Sequence, residues 1–406
     1  MDEDELKTET RTVRVLASAQ VLNGLGVAGT VAAGSLLVAS ITDSETLAGL
    51  AQTSSVLGAA ALALPLARLT QRGGRRLALS VGYLSGVVGS LLAILGGTTE
   101  NIFFMLAGTF CVGAASAAGY QARFAAIDLA TNETRAKQLS LVVWALTVGA
   151  VLGPNMMEPS GNLANNLGLP RLVGPYLISA VTLFFATLII QVFLRPDPFL
   201  LAQERNTNIQ EAKKSTKHAL SHIKVNQRAL FAIAAIAIGH VAMVSVMVMT
   251  PVHMAHVDVT LTIIGLVISI HVLGMYAFSP IVGSLSDRIG RVRTIQIGVL
   301  ILLLSTLVSG FAAADDAITL GIGLFLLGLG WSFTLIAGSA LLAESVSAEM
   351  KTSAQGASDL VMNLSGAGGG ALAGVIIGTL SYGWLCLAAA IPVAILGVWS
   401  QRINRE

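Results

Sequence analysis

Twelve apolar stretches, each long enough to cross the hydrocarbon core of a bilayer, dominate this chain of 406 residues. They fall at about 15–41, 46–67, 77–97, 102–127, 139–157, 172–194, 229–253, 260–282, 294–314, 317–343, 355–380 and 382–400. Inside a bilayer every backbone N–H and C=O must be bonded within its own segment. The expected fold is therefore an all-α membrane protein of twelve transmembrane helices. Composition agrees, with 54% hydrophobic and 11% charged residues, where a soluble domain carries about 25% charged. The 42 glycines would weaken soluble helices but let membrane helices approach closely. A net charge of +2 gives no case for a nucleic-acid partner. The partners implied are the lipid bilayer and a small substrate, with the protein acting as a monomer. Cys111 and Cys386 form no CxxC pair and sit in different apolar stretches, which excludes a Cys-rich metal site.

Lysine and arginine set the expected orientation. With the even-numbered connections and both termini on one side, that side holds all but two of the 24 Lys and Arg residues. The exceptions are Arg171, before span six, and Arg123, within span four. This bias places both termini in the cytoplasm of a multi-pass protein of the cytoplasmic (inner) membrane. The acidic start Met1-Asp2-Glu3-Asp4-Glu5, then Arg11, Arg14 and a long apolar run, reads as an uncleaved first span.

The longest polar stretch, residues 195–228, contains Pro196, Pro198 and a mixed-charge run, and reads as a cytoplasmic linker. It divides the chain into an N-terminal six-helix half, 1–194, and a C-terminal half, 229–406. The halves match at an offset of 216 residues. Gln71-Arg72-Gly73-Gly74-Arg75 aligns with Asp287-Arg288-Ile289-Gly290-Arg291, while Asp128, Glu133 and Arg135 align with Glu344, Glu349 and Lys351. Repeated half-structures are how many secondary transporters achieve alternating access.

The segment from Gly283 to Arg293 (Gly-Ser-Leu-Ser-Asp-Arg-Ile-Gly-Arg-Val-Arg) resembles the loop signature of the major facilitator superfamily. With twelve spans and the repeat, that resemblance covers nearly the whole chain and implies the major facilitator fold. It also implies a cytoplasmic gate: Asp287 at a helix N-terminus, Arg288 beside it, Arg291 paired with Glu344, and Arg75 with Asp128. A plainer reading is that these arginines only obey the positive-inside rule. The first copy departs from the pattern, with Ala67 at the first glycine and Gln71 at the aspartate, so its latch is expected to be weaker. Gly149-Ala150-Val151-Leu152-Gly153-Pro154 resembles the GxxxGP element of antiporters in the superfamily, and reads as packing geometry.

Nothing points to catalysis. Gly24-Leu25-Gly26-Val27-Ala28-Gly29 matches GxGxxG but lies inside a span with no preceding strand, so it reads as helix packing. There is no Walker A sequence, no Ser/His/Asp arrangement and no HExxH. The chain is not expected to be an enzyme or to need a cofactor.

Two sets of intramembrane residues invite a functional reading. The first is Met243 and Met247 in span seven with His271 and Met275 in span eight. The i,i+4 spacing puts each pair on one helix face, so antiparallel neighbours would present four soft ligands to one point, a set suited to Cu(I). His240, and at the mouth His253, Met254 and His256, extend the cluster as an entry path. Methionine is also an ordinary core filler, and packing stands as the alternative. MxxxM in span seven and HxxxM in span eight resemble the signature of the CcoA-like copper transporters (the CalT family). That resemblance implies import of copper as substrate, although the branch also includes riboflavin transporters.

The second set is Gln355, Asp359 and Asn363, on one face of span eleven, with Arg123 in span four. Asp359 is read either as the carrier of a coupling proton or as a cap or partner of a nearby cation. Arg123 is read as binding an anionic substrate group or neutralising an acid; the plainer reading has it snorkel or pair with Asp128. Gln20 and Asn23 in span one lie nearly on one face. The alternative function is thus a proton-coupled transporter of a small organic solute, riboflavin-like or a drug. A non-transporting sensor is a third class.

Overall fold

The computed structural model describes residues 3–43, 50–131, 133–205, 226–255, 259 and 261–403. Among them, eleven helices are long and apolar enough to cross a membrane. One of these, α2 (Leu50–Thr98), runs for 49 residues, roughly 73 Å at 1.5 Å per residue against a bilayer core of about 30 Å. It holds two spans, joined at Gly74 with φ 83°. An L side chain rarely adopts that φ, and a Cβ there would also collide with the Asp197 carboxylate.

Around α2, in chain order, come α1 (Glu3–Thr42), α3 (Ile102–Ala125), α4 (Arg135–Asn155), α5 (Met157–Asn166), α6 (Gly174–Phe193) and α7 (Pro198–Arg205). The rest of the chain forms α8 (Gln227–Ala255), α9 (Leu261–Tyr276), α10 (Ser279–Ile289), α11 (Arg291–Phe311), α12 (Ala317–Ser345), α13 (Ala348–Thr379) and α14 (Tyr382–Ile403). Gly290, at φ 94°, separates α10 from α11. It stands 216 residues beyond Gly74, so the backbone carries the same repeat as the sequence.

The chain resolves into two compact units. The first comprises Met1–Ala130, Leu141–Lys213 and Gln355–Leu360; the second comprises Thr131–Ser140, Lys214–Ala354 and Val361–Glu406. The first turn of α4 therefore clusters with the C-terminal unit, and a short stretch of α13 with the N-terminal one. In the first unit α3 packs chiefly on α2, and in the second α12 packs on α8, α9 and α11.

Close approach through glycine explains the packing of α1 on α4. A Cβ on Gly149 would strike the Val21 carbonyl and the Leu25 nitrogen, and Gly29 faces the Gly153 carbonyl. The GxxxG of span five thus meets the GxGxxG run of span one, which fits helix packing rather than a nucleotide loop. Large apolar side chains such as Leu300, Phe311, Ile318 and Val398 are exposed, as expected of a surface that lipid covers. Two connections carry short helices of their own. Residues 157–166 form the amphipathic helix α5 after span five. The segment read as a linker begins with α7, whose first N–H groups, of Phe199 and Leu200, donate to Asp197; residues 206–225 lie outside the described residues.

Candidate functional site: a buried ion pair and two charged clusters

The first unit buries a polar cluster in an otherwise apolar setting. Arg123 of α3 donates from Nη2 to Asp359 Oδ1 at 2.6 Å, with the two side chains 1% and 0% exposed. The Arg123 guanidinium lies over the Phe124 ring at 4.7 Å and near the Tyr120 ring at 5.6 Å. Its Nε and Nη1 are buried and make no hydrogen bond. Around it, Gln121 donates to the Ala63 carbonyl, Gln20 to the Gly119 carbonyl, and Asn23 to Gln20. Arg123 therefore neither snorkels nor pairs with Asp128, as the plainer reading expected. It sits too deep for its stem to reach the surface, and Asp128 is occupied by another arginine.

That arginine is Arg75, equally buried. Its Nε donates to Asp128 Oδ2 at 2.7 Å and its Nη2 to Asp128 Oδ1 at 3.2 Å and to Gln355 Oε1 at 2.8 Å. One face of α13 thus meets two arginines of the first unit, Gln355 meeting Arg75 and Asp359 meeting Arg123. Asn363, the third residue of that face, is buried too. The first copy of the loop carries a carboxylate that the sequence reading missed. Asp197 accepts from the backbone N–H of Arg75 and of Arg76, capping the helix that restarts after the kink at Gly74. The missing first glycine also has a counterpart, since Ala67 packs where Gly356 of α13 leaves room. The signal was available: Asp197 lies between two prolines, a common setting for a helix cap.

The second copy is built on Asp287. Its carboxylate accepts from the backbone N–H groups of Ala136 and Lys137, at the first turn of α4, at 3.1 and 2.8 Å. It also receives Arg291 Nη1 at 2.5 Å, and Arg291 reaches Glu344 Oε1 from Nη2 at 2.9 Å and from Nε at 3.1 Å. Arg135 lies 3.6 Å from Glu344. Here two arginines and a helix N-terminus converge on two acids, a charge-assisted network. Arg288 is exposed.

The soft-ligand residues are placed differently from the expected quartet. His271 is fully buried, and its Nδ1 lies 2.8 Å from the Leu324 carbonyl of α12. Bonding to a carbonyl makes Nδ1 the protonated nitrogen and leaves Nε2 as the lone-pair atom. Nε2 is buried and has no hydrogen-bond partner. Met275, one turn on, is buried against Gly328 of the same helix. Met243 is buried on α8 and Met247 half-buried. Among the described residues, however, α9 packs mainly on α12 and only slightly on α8. His271 and Met275 therefore address α12. His240 accepts the Trp331 indole N–H at 3.1 Å. His253 stacks on Tyr382 at 4.4 Å, Tyr382 meets the Thr250 hydroxyl at 2.8 Å, and Met254 is fully buried. His256 lies outside the described residues. Among the described residues no three His, Cys, Asp or Glu side chains gather closely enough to hold a metal ion, so a site here would depend on thioethers.

Comparison with known proteins bears on this geometry. The Major Facilitator Superfamily model matches residues 16–259 and 242–405. A relative, the uncharacterized MFS-type transporter YdeG of Bacillus subtilis (strain 168), is 35% identical over 395 residues, covering 96% of this chain and 92% of its own. The riboflavin transporter RfnT of Brucella anthropi is 26% identical over 352 residues, 87% of this chain and 85% of its own. Among solved structures, the Escherichia coli fucose:proton symporter superposes with a TM-score of 0.72 at 17% identity, covering 96% of this chain and 97% of that one. A bacterial homologue of the iron transporter ferroportin gives 0.74 at 11% identity, covering 98% and 100%. At these identities the structures speak for the fold alone.

Proposed function

This chain belongs to the Major Facilitator Superfamily and is a secondary transporter, and from that premise we propose that a proton exchanged at Asp359 drives uphill movement of a small organic solute by alternating access. The observation that carries the reading is the Arg123–Asp359 pair, buried at 1% and 0% exposure. An ion pair so far from water is costly to build and is retained in membranes where charge is moved. A proton taken up on Asp359 converts the carboxylate to a neutral acid and releases Arg123. Loss of the proton restores the pair. The chain has no nucleotide-binding motif, so an ion gradient is the natural energy source. The polar groups beside the pair (Gln20, Asn23, Gln121) suit an organic solute, and the riboflavin transporter among the relatives handles one. The proposed site is the cytoplasmic membrane, with both termini in the cytoplasm, as the lysine and arginine bias implies.

The test is paired uphill uptake and counterflow in proteoliposomes at two pH values, with riboflavin as the first probe. Asp359→Asn is expected to abolish uphill uptake and spare counterflow, because the protein still exchanges its faces without linking them to a proton. Full uphill uptake by Asp359→Asn with unchanged pH dependence would refute the role.

A second reading, copper as substrate, is favoured by one observation: the buried, unpartnered Nε2 of His271 with Met275 a turn away. An imidazole nitrogen fixed by a backbone carbonyl on its other side is poised to ligate, and thioethers are soft partners for Cu(I). Met243 and Met247 would have to join from α8. His271→Leu and Met247→Leu are expected to abolish cellular accumulation of radioactive copper under this reading, with unchanged protein levels in the membrane. Normal accumulation in both variants removes it.

A further inference from the structure

Arg123 has more hydrogen-bonding capacity than its surroundings use. Guanidinium carries five N–H donors in a rigid fork. In this chain Nη2 binds Asp359, the guanidinium lies over the Phe124 ring, and Nε and Nη1 are buried without a hydrogen-bond partner. Buried donors left unmade are unfavourable, more so on a charged group. The arrangement is also unbalanced in time. When Asp359 takes up a proton, Arg123 loses its compensating charge and cannot shed its own, because arginine does not deprotonate. A buried cation without a counter-charge is among the most destabilising states a protein core can hold.

We propose that the transported solute carries an anionic group, a carboxylate or a phosphate, and that this group binds Arg123 through Nη2, released as Asp359 is protonated, together with one of the unused donors on either side of it, Nε or Nη1. The exchange balances: one proton moves onto the Asp359 carboxylate, one anionic oxygen pair replaces it on the guanidinium, and the buried site keeps the same net charge. A singly charged anion and one proton would then cross together without net charge. The fork geometry suits a two-oxygen acceptor, which a neutral amide or hydroxyl matches less well. Among the described residues, the charged and titratable groups near the pair include Tyr120 on α3 and Arg75 with its partner Asp128. Arg75 is already held by Asp128 and Gln355, which leaves Arg123 as the anion's receptor. The inference rests on the proton-coupled reading above and adds the class of substrate.

The experiment uses the full chain purified in detergent, with benzoate as the anionic probe and benzamide as its neutral isostere. Thermal unfolding is followed as each is titrated. Asp359→Asn removes the internal competitor permanently, so benzoate should bind this variant about tenfold more tightly than benzamide does. In wild type the same preference should grow as pH falls from about 8 to about 6, and Arg123→Gln should lose it in either background. The wild-type titration keeps the test decisive if Asp359→Asn proves hard to purify. Equal response to benzoate and benzamide, no response to benzoate in either protein, or a benzoate response that survives Arg123→Gln overturns the proposal. None of these outcomes touches the proton role of Asp359, which stands or falls on the uphill and counterflow assay.

Discussion

Replacing Asp359 and Arg123 singly and together measures what the buried pair contributes, and the structure predicts an asymmetric answer. Asp359→Asn keeps the shape and an oxygen that can accept from Arg123 Nη2, so what disappears is charge. Arg123 then remains a cation at 1% exposure, held only by neutral oxygen and by the Phe124 ring at 4.7 Å. Removing one partner of a buried pair costs about 3–5 kcal/mol. The ring contact offsets about a quarter of this, since a desolvated cation–π contact contributes on the order of 1–2 kcal/mol, and the expected net loss is about 3 kcal/mol. Arg123→Gln leaves the opposite orphan, but a carboxyl group can neutralise itself by taking up a proton, so the loss should be only about 1–2 kcal/mol. The double variant has no buried charge and should lie at most about 1 kcal/mol below wild type, giving a coupling energy of about 3–5 kcal/mol. The assay is reversible unfolding in mixed micelles of the four proteins at one pH. A coupling below about 0.5 kcal/mol, or Arg123→Gln more damaging than Asp359→Asn, would show that the pair is not charge-compensated as argued.

Two further outcomes follow from the charged loops and the helix packing. Asp287→Asn should impair transport far more than Gln71→Ala, because Asp287 carries two backbone N–H bonds and Arg291, each charge-assisted bond contributing about 1.5–3 kcal/mol; equal and small effects on uptake would refute a gating role for this charge. Gly149→Leu should abolish folded protein in the membrane, its side chain meeting the backbone of Val21 and Leu25, while Gly161→Ala, facing the flexible Arg171 side chain as well as its carbonyl, should be milder; expression followed by size-exclusion chromatography separates the two.

The sequence carried the fold because membrane folds are written in long-range quantities. Span length, glycine content and the 216-residue repeat survive any local misreading, and the same repeat returns in the structure as positive φ at both Gly74 and Gly290. The pairing of Arg75 with Asp128 and of Arg291 with Glu344 could be read from that register too, since each acid follows its arginine at the same spacing. What escaped were partners that no periodicity connects. Arg123 and Asp359 are 236 positions apart, and a lone arginine near a helix end fits snorkelling as well as pairing until the depth of burial is known.

Symmetry reasoning also left out what the first copy draws from elsewhere in the chain. Ala67 and Gln71 suggest a weakened first latch; Ala67 is accommodated at Gly356, and Asp197 supplies a carboxylate that caps the helix at Arg75 and Arg76, where Asp287 of the second copy caps α4. Each is contributed by a segment outside the aligned motif, so the motif alone was blind to both. The soft-ligand cluster shows the opposite error. The i,i+4 pairs define a face on each helix, but periodicity fixes a face only relative to its own axis and not the neighbour it addresses. His271 turned out to address Leu324 on α12, and that single hydrogen bond decides which imidazole nitrogen is left to act. A copper ion bound there would have to be met by Nε2, so His271→Gln, whose amide cannot reproduce an imidazole ligand, separates ligation from the packing that Nδ1 already satisfies.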